Sequence, residues 1–168
     1  MTMPEAERER IRQYLVEQAG SKSIEELIAR VEDGMQQLAA AARSIPAERF
    51  EEHPAGDEWC PMDCLAHVVS WNAWTATAVL HAALTGEVPA GEPPELARDR
   101  DALLKEQERS NASLYEHVRA ADPGAFLDVR WEHPFFGMLN WREWLLFLRL
   151  HALDHARQLA GMREALGA

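Results

Sequence analysis

Two of the seven histidines in this 168-residue chain, His151 and His155, stand four positions apart among leucines. On a helix that spacing puts both imidazoles on one face with Cβ atoms ~6 Å apart, close enough to grip a single ion. The stripe that carries them reads Trp141, Trp144, Leu145, Leu148, His151, His155, Leu159 and Met162, so the rings lie in an apolar seam. A buried imidazole needs partners for its ring nitrogens, and two adjacent ones repel if both are protonated. A shared metal meets both requirements. So do backbone carbonyls, Asp154, Gln158 or water acting on each ring separately. A third ligand decides between these readings, and His67 is the candidate, in a charge-free segment on a face with Cys60, Cys64, Trp71 and Trp74. His81 shares that face approximately but lies ~21 Å further along a helix axis, so only one of the two can join the pair. Cys60 and Cys64 read first as small buried hydrophobes.

These residues need helices to carry them. Residues 1–20 read as an N-terminal arm or short polar helix with a weak apolar pattern (Ile11, Leu15), and residues 21–168 as an all-α four-helix bundle domain. Ser23 and Glu26 form a capping box, and Ile24, Leu27, Ile28, Val31, Met35, Leu38, Ala42 and Ile45 follow at helical spacing up to Pro46. Pro61 suits a first helical position, and Met62 to Leu84 is apolar nearly all round, which predicts a central helix. A Gly/Pro loop precedes a charged helix over Glu95 to Ala121. The linker Asp122 to Leu139 holds Pro123, Gly124, His133, Pro134 and Gly137 with Phe126, Trp131, Phe135 and Phe136, and no segment of the chain reads as a strand. Asn140 with Glu143 three residues on predicts an N-cap for a helix from Trp141 to about Ala165.

Several classes of function are disfavoured. A net charge of −11 repels nucleic acid and anionic membrane alike. Cys64 to Thr85 lacks formal charges, yet His67, Ser70, Asn72, Thr75, Thr77 and His81 interrupt it, so a buried helix is expected rather than a membrane span. Two cysteines without a Cys-x-x-Cys pair make no disulfide framework, and the charged N-terminus is unlike a signal peptide; a cytoplasmic location is expected. A Gly-x-Ser-x-Gly elbow, a phosphate-binding Gly loop and a Rossmann fingerprint are all missing.

The run Trp59-Cys-Pro-Met-Asp-Cys-Leu-Ala-His67 resembles the tryptophan, helix start and first histidine of the DinB-like (DinB/YfiT) superfamily. His133-Pro-Phe-Phe-Gly137-Met-Leu-Asn-Trp-Arg-Glu-Trp144, followed by His151-Ala-Leu-Asp-His155-Ala-Arg-Gln-Leu159, is similar to that family's next conserved segment. Cys60 and Pro61 stand where the family commonly has a Ser or Thr cap. The resemblance implies a bundle, often dimeric, that brings His67, His151 and His155 onto one divalent metal (zinc, nickel or iron(II)) with a coordination position left open. It also implies a metal-dependent transferase or isomerase that uses a small thiol such as mycothiol, bacillithiol or glutathione on an electrophilic small molecule.

Around such a site, His133 is a candidate proton shuttle, and Trp71, Trp74, Trp144 and Arg142 are candidates for the substrate pocket, Arg142 as a partner for a carboxylate. Gln158 and Asp154 are candidates to orient ligand histidines. A second stripe, Leu146, Leu150 and Leu153, predicts contact with another helix or with a second subunit of a homodimer. The rival readings are a non-catalytic protein that sequesters a reactive small molecule, and a structural helical dimer without metal.

Overall fold

The computed structural model describes residues 3–168. Four of the five helices begin beside a side chain that meets a free backbone N–H. α1 (Glu5–Ser21) has no such cap and starts after Pro4, whose carbonyl accepts from Glu7 and Arg8 N–H at 3.1 Å. Ahead of α2 (Ile24–Arg43), Ser23 Oγ accepts from Glu26 N–H at 3.2 Å and the Glu26 carboxylate accepts from Ser23 N–H at 2.9 Å. In α3 (Pro61–Thr85) the cap is reversed, because the Asp63 carboxylate accepts from Cys60 N–H at 3.0 Å. α4 (Arg100–Ala120) starts five residues later than the charge pattern predicts, since Asp99 supplies the cap by accepting from Ala102 N–H at 2.8 Å. α5 (Trp141–Leu166) opens on Asn140, whose side-chain oxygen accepts from Arg142 and Glu143 N–H at 3.0 and 3.1 Å.

Four of these helices form a bundle in which α5 packs against α2 and α3, and α4 packs against the same two from the opposite corner. α2 and α3 are therefore diagonal, as are α4 and α5, and the chain crosses between them through the long connections at 44–60 and 121–140. Gly34 allows α2 and α5 to approach closely: a Cβ there would stand 3.1 Å from the Arg149 carbonyl oxygen. Leu27, Val31, Leu38, Leu65, Val68, Leu114, Leu145 and Leu159 fill the centre without solvent exposure.

One sequence expectation changes and one open choice closes. Of the arm or short polar helix expected over residues 1–20, the structure has the helix, 17 residues long and docked on α5 through buried Leu15 and Ala19. The aromatic linker, read as free of strands, contains a hairpin of β1 (Arg130–His133) and β2 (Gly137–Asn140), antiparallel with Arg130 opposite Asn140 and His133 opposite Gly137. Its strands are four residues each, too short to show alternation against the turn residues between them, and Gly137 takes a left-handed φ of 71°. No helix among the described residues is long and apolar enough to cross a membrane.

Candidate metal centre

The neighbouring helices α3 and α5 bring three imidazoles together. Ring centroids of His67, His151 and His155 are 5.7, 5.1 and 4.7 Å apart pairwise, and one nitrogen from each ring lies within 4.8 Å of the others. His155 Nε2 stands 3.1 Å from His151 Nε2.

The far nitrogens fix what those close atoms are. Asn72 Nδ2 donates to Gln107 Oε1 at 2.9 Å, which turns its Oδ1 toward His151; that oxygen takes a hydrogen from His151 Nδ1 at 2.9 Å. Gln158 Oε1 does the same for His155 Nδ1 at 2.9 Å. With both Nδ1 atoms acting as donors, both Nε2 atoms carry lone pairs, and these face one another. A proton between them is disfavoured. Burial, then the neighbouring imidazoles, holds His151 down to about 3, and burial lowers His67 and His155 as well, with Gln158 and Asp154 opposing the shift at His155. A cation relieves the repulsion: nitrogens held at 2.0–2.1 Å in tetrahedral coordination are ~3.3 Å apart, close to the spacing found here. The donor set thus fits a divalent ion that accepts neutral imidazoles.

The three rings border a cavity of about 600 Å³ between α1, α3, α5 and the hairpin turn. Phe147 stands between the metal-side rings and the turn, parallel to His151 at 5.6 Å and edge-on to His133 at 4.3 Å. His133 is buried in this aromatic wall, and burial drops its pKa to about 4. Its Nδ1 accepts from the N–H groups of Phe135 and Phe136 at 3.1 and 3.3 Å, so the hydrogen sits on Nε2.

Residues 30–159 match the sequence profile of the DinB superfamily. The chain belongs to the DinB superfamily. No curated protein matches it. Among solved structures, two of a mycothiol-dependent maleylpyruvate isomerase, one of them a mutant, share the fold at a TM-score of 0.66. They are 20% and 23% identical, and the match covers 84% of this chain but 62% of that one. TT2238, a four-helix bundle protein, aligns at a TM-score of 0.56 and 24% identity over 82% of this chain and 97% of its own.

Within this DinB-superfamily bundle the side chains expected at the pocket divide. Trp71 and Trp144 line the cavity beside the histidines. Trp74 does not: it packs on the loop after α3, where a Cβ at Gly91 would fall 2.8 Å from its ring. Arg142 does not either. Its guanidinium is buried under the fold and donates to the carbonyls of Ala19, Lys22 and Pro123, tying α1, the start of α2 and the linker to α5. Leu146 is fully buried, and Leu150 and Leu153 are half-buried along the cavity. Asp154 is exposed at the rim and faces Arg157 rather than a histidine.

The thiols stand behind the site. Burial pushes Cys64 up to about 12; its Sγ is 3.5 Å from His155 Nδ1, the nitrogen turned away from the ligand cluster, and 3.5 Å from Gln158 Oε1. Cys60, Asp63 and His53 also cluster, but the Asp63 oxygens are taken by Arg98 at 2.8 Å and by the Cys60 N–H and Sγ. That group anchors a helix start. Sequence reasoning missed three contributors: Asn72 as the partner of His151, Phe147, and the α1 residues Glu7 and Ile11 on the cavity wall. Asn72 alone had left a signal, as an amide inside an apolar helix that needs a buried partner.

Proposed function

We propose that this chain is a metal-dependent enzyme of the DinB superfamily, in which His67, His151 and His155 hold zinc, nickel or iron(II) and the adjoining cavity joins a small thiol to, or isomerises, an electrophilic small molecule. The observation that carries this reading is the pair of lone-pair-bearing Nε2 atoms 3.1 Å apart at the edge of the cavity. A divalent ion bound there lowers the pKa of a coordinated thiol or water into the neutral range.

The chain's own residues supply the rest. Asn72 and Gln158 hold the ligand rings in one tautomer and orientation. Phe147, Trp144 and Phe136 exclude water from one side of the site. His133, with Nδ1 already accepting two hydrogens, presents an Nε2–H that holds an acceptor atom of the substrate; proton uptake at Nδ1 would first break the turn. The neighbouring fold of a mycothiol-dependent isomerase supports the thiol part of the proposal, as does superfamily membership.

The test has two stages. Metal content is measured on untagged protein and on His67→Ala, His151→Ala and His155→Ala, each of which is expected to lose most of its bound ion. Metal-loaded protein is then assayed with several thiols against a panel of electrophiles. Product exceeding one equivalent per chain establishes catalysis, saturation at one equivalent establishes sequestration, and three variants that bind as much metal as the parent overturn the ligand assignment.

A further inference from the structure

The cavity beside the histidines keeps its charges at the rim. Its charged border residues are Glu7, Asp154 and Arg157, all exposed, and the two acids face arginines of their own helices, Arg10 at 3.8 Å and Arg157 at 3.9 Å. The remaining lining holds no Lys, Arg, Asp or Glu. Arg142, which the sequence offered for a carboxylate, is committed to three backbone carbonyls elsewhere. An ionised group on a ligand would leave water there without a counter-ion.

The walls favour a different guest. Trp71 and Phe135 present 44% and 53% of their surface to solvent at the cavity, unusual for such large apolar side chains. Behind them, His133 stacks on Phe136 at 4.6 Å and meets Phe147 edge-on at 4.3 Å, so ring faces and ring edges are both on offer. Among the described residues, His133 Nε2–H has no protein acceptor.

The geometry points to an uncharged aromatic molecule as the ligand of this cavity, its ring against the hairpin aromatics and Trp71, with an acceptor atom for His133 Nε2–H. This rests on the function proposed above only for the end that would face the metal; the rest of the ligand is read from the walls. An ion at the histidines would itself attract anions, so charge selection by the walls is measured both with and without it.

The experiment is a fluorescence titration of the full-length protein, as purified and after chelator treatment. The probes are N-phenyl-1-naphthylamine and 8-anilinonaphthalene-1-sulfonate, the same ring system without and with a sulfonate. The neutral probe is expected to saturate at one per chain and to bind at least about tenfold more tightly than the sulfonate in both preparations, a difference of about 1.4 kcal/mol. Phe135→Ala, at an exposed turn position that leaves the core untouched, weakens the neutral probe severalfold. Leu153→Arg, which sets a cation in the wall, narrows or inverts the preference. Equal or tighter binding of the sulfonate by chelator-treated wild type overturns the inference, as does neutral-probe binding that Phe135→Ala leaves unchanged. The two readings fail separately: a chain that binds no metal yet keeps this preference loses only the proposed function, and an enzyme that turns over only carboxylate-bearing electrophiles loses only the neutral ligand.

Discussion

Asn72 is the residue on which the candidate site turns. It lies on α3 five positions beyond His67, is 1% exposed, and joins His151 on α5 to Gln107 on α4, which in turn donates to Asn111 at 2.8 Å. Replacing it with leucine leaves His151 Nδ1–H and Gln107 Oε1 without their partner. The loss is expected to weaken metal affinity about 10–100-fold and to lower stability by about 1–3 kcal/mol. Competition with a chromogenic chelator and urea unfolding measure the two. Gln158→Leu acts on the other ring with less effect on stability, since Gln158 is exposed at the surface. His151 and His155 could be paired from residue type and spacing because a helix maps four positions onto one face, and His67 joined them through its charge-free segment and the family resemblance. Their amide partners could not, because a hydrogen bond between residues 72 and 151 depends on how two helices are placed side by side, which periodicity does not encode.

Among the elements, α1 carries more than its composition promises. It is polar nearly all round, buries only Leu15 and Ala19, and still forms one wall of the cavity through Ile11 and Glu7. What holds it is Arg142, whose three carbonyl acceptors lie on three separate segments. Arg142→Leu is expected to destabilise the chain by roughly 2–5 kcal/mol, because hydrogen bonds to a charged group are lost and carbonyls are left unmet. Hydrogen exchange should show α1 opening before the bundle does. Uniform opening of all helices would mean that α1 is held by its apolar contacts instead. The helix starts were visible in advance at Ser23 and Asn140, each a local pairing of side chain and backbone within three residues, and at Pro61, whose fixed φ suits a first helical position. The hairpin and the docking of α1 were not. Both depend on contacts far apart in sequence, such as Trp131 stacked on Trp144 at 5.3 Å and Arg142 reaching Ala19.

At the scale of the whole molecule, acid should loosen the fold before it reaches the carboxylates. His133 has its pKa lowered from 6.5 to about 4 by burial, so between those values the unfolded chain takes up a proton that the folded chain refuses. Its contribution to stability is complete above pH 6.5 and disappears as pH falls toward 4. Urea midpoints of chelator-treated protein should therefore drop across that window. His133→Asn, which keeps an acceptor for the turn but cannot titrate, should flatten part of the drop; an unchanged slope would place the effect elsewhere. Asp63 acts lower: the Cys60 N–H, the Cys60 thiol and Arg98 hold its carboxyl at about 2, so the cap of α3 survives until pH falls below the ordinary carboxylate range. The position of α5 at the meeting point of α1, α2 and α3 has a further result during synthesis. Until residues 141–166 have left the ribosome, the nascent chain holds a single ring of the histidine trio and lacks the helix that covers the faces of α1, α2 and α3 turned toward α5. Truncated products are thus natural clients for chaperones and proteases, and the capacity to capture an ion arrives only with the closing of the core.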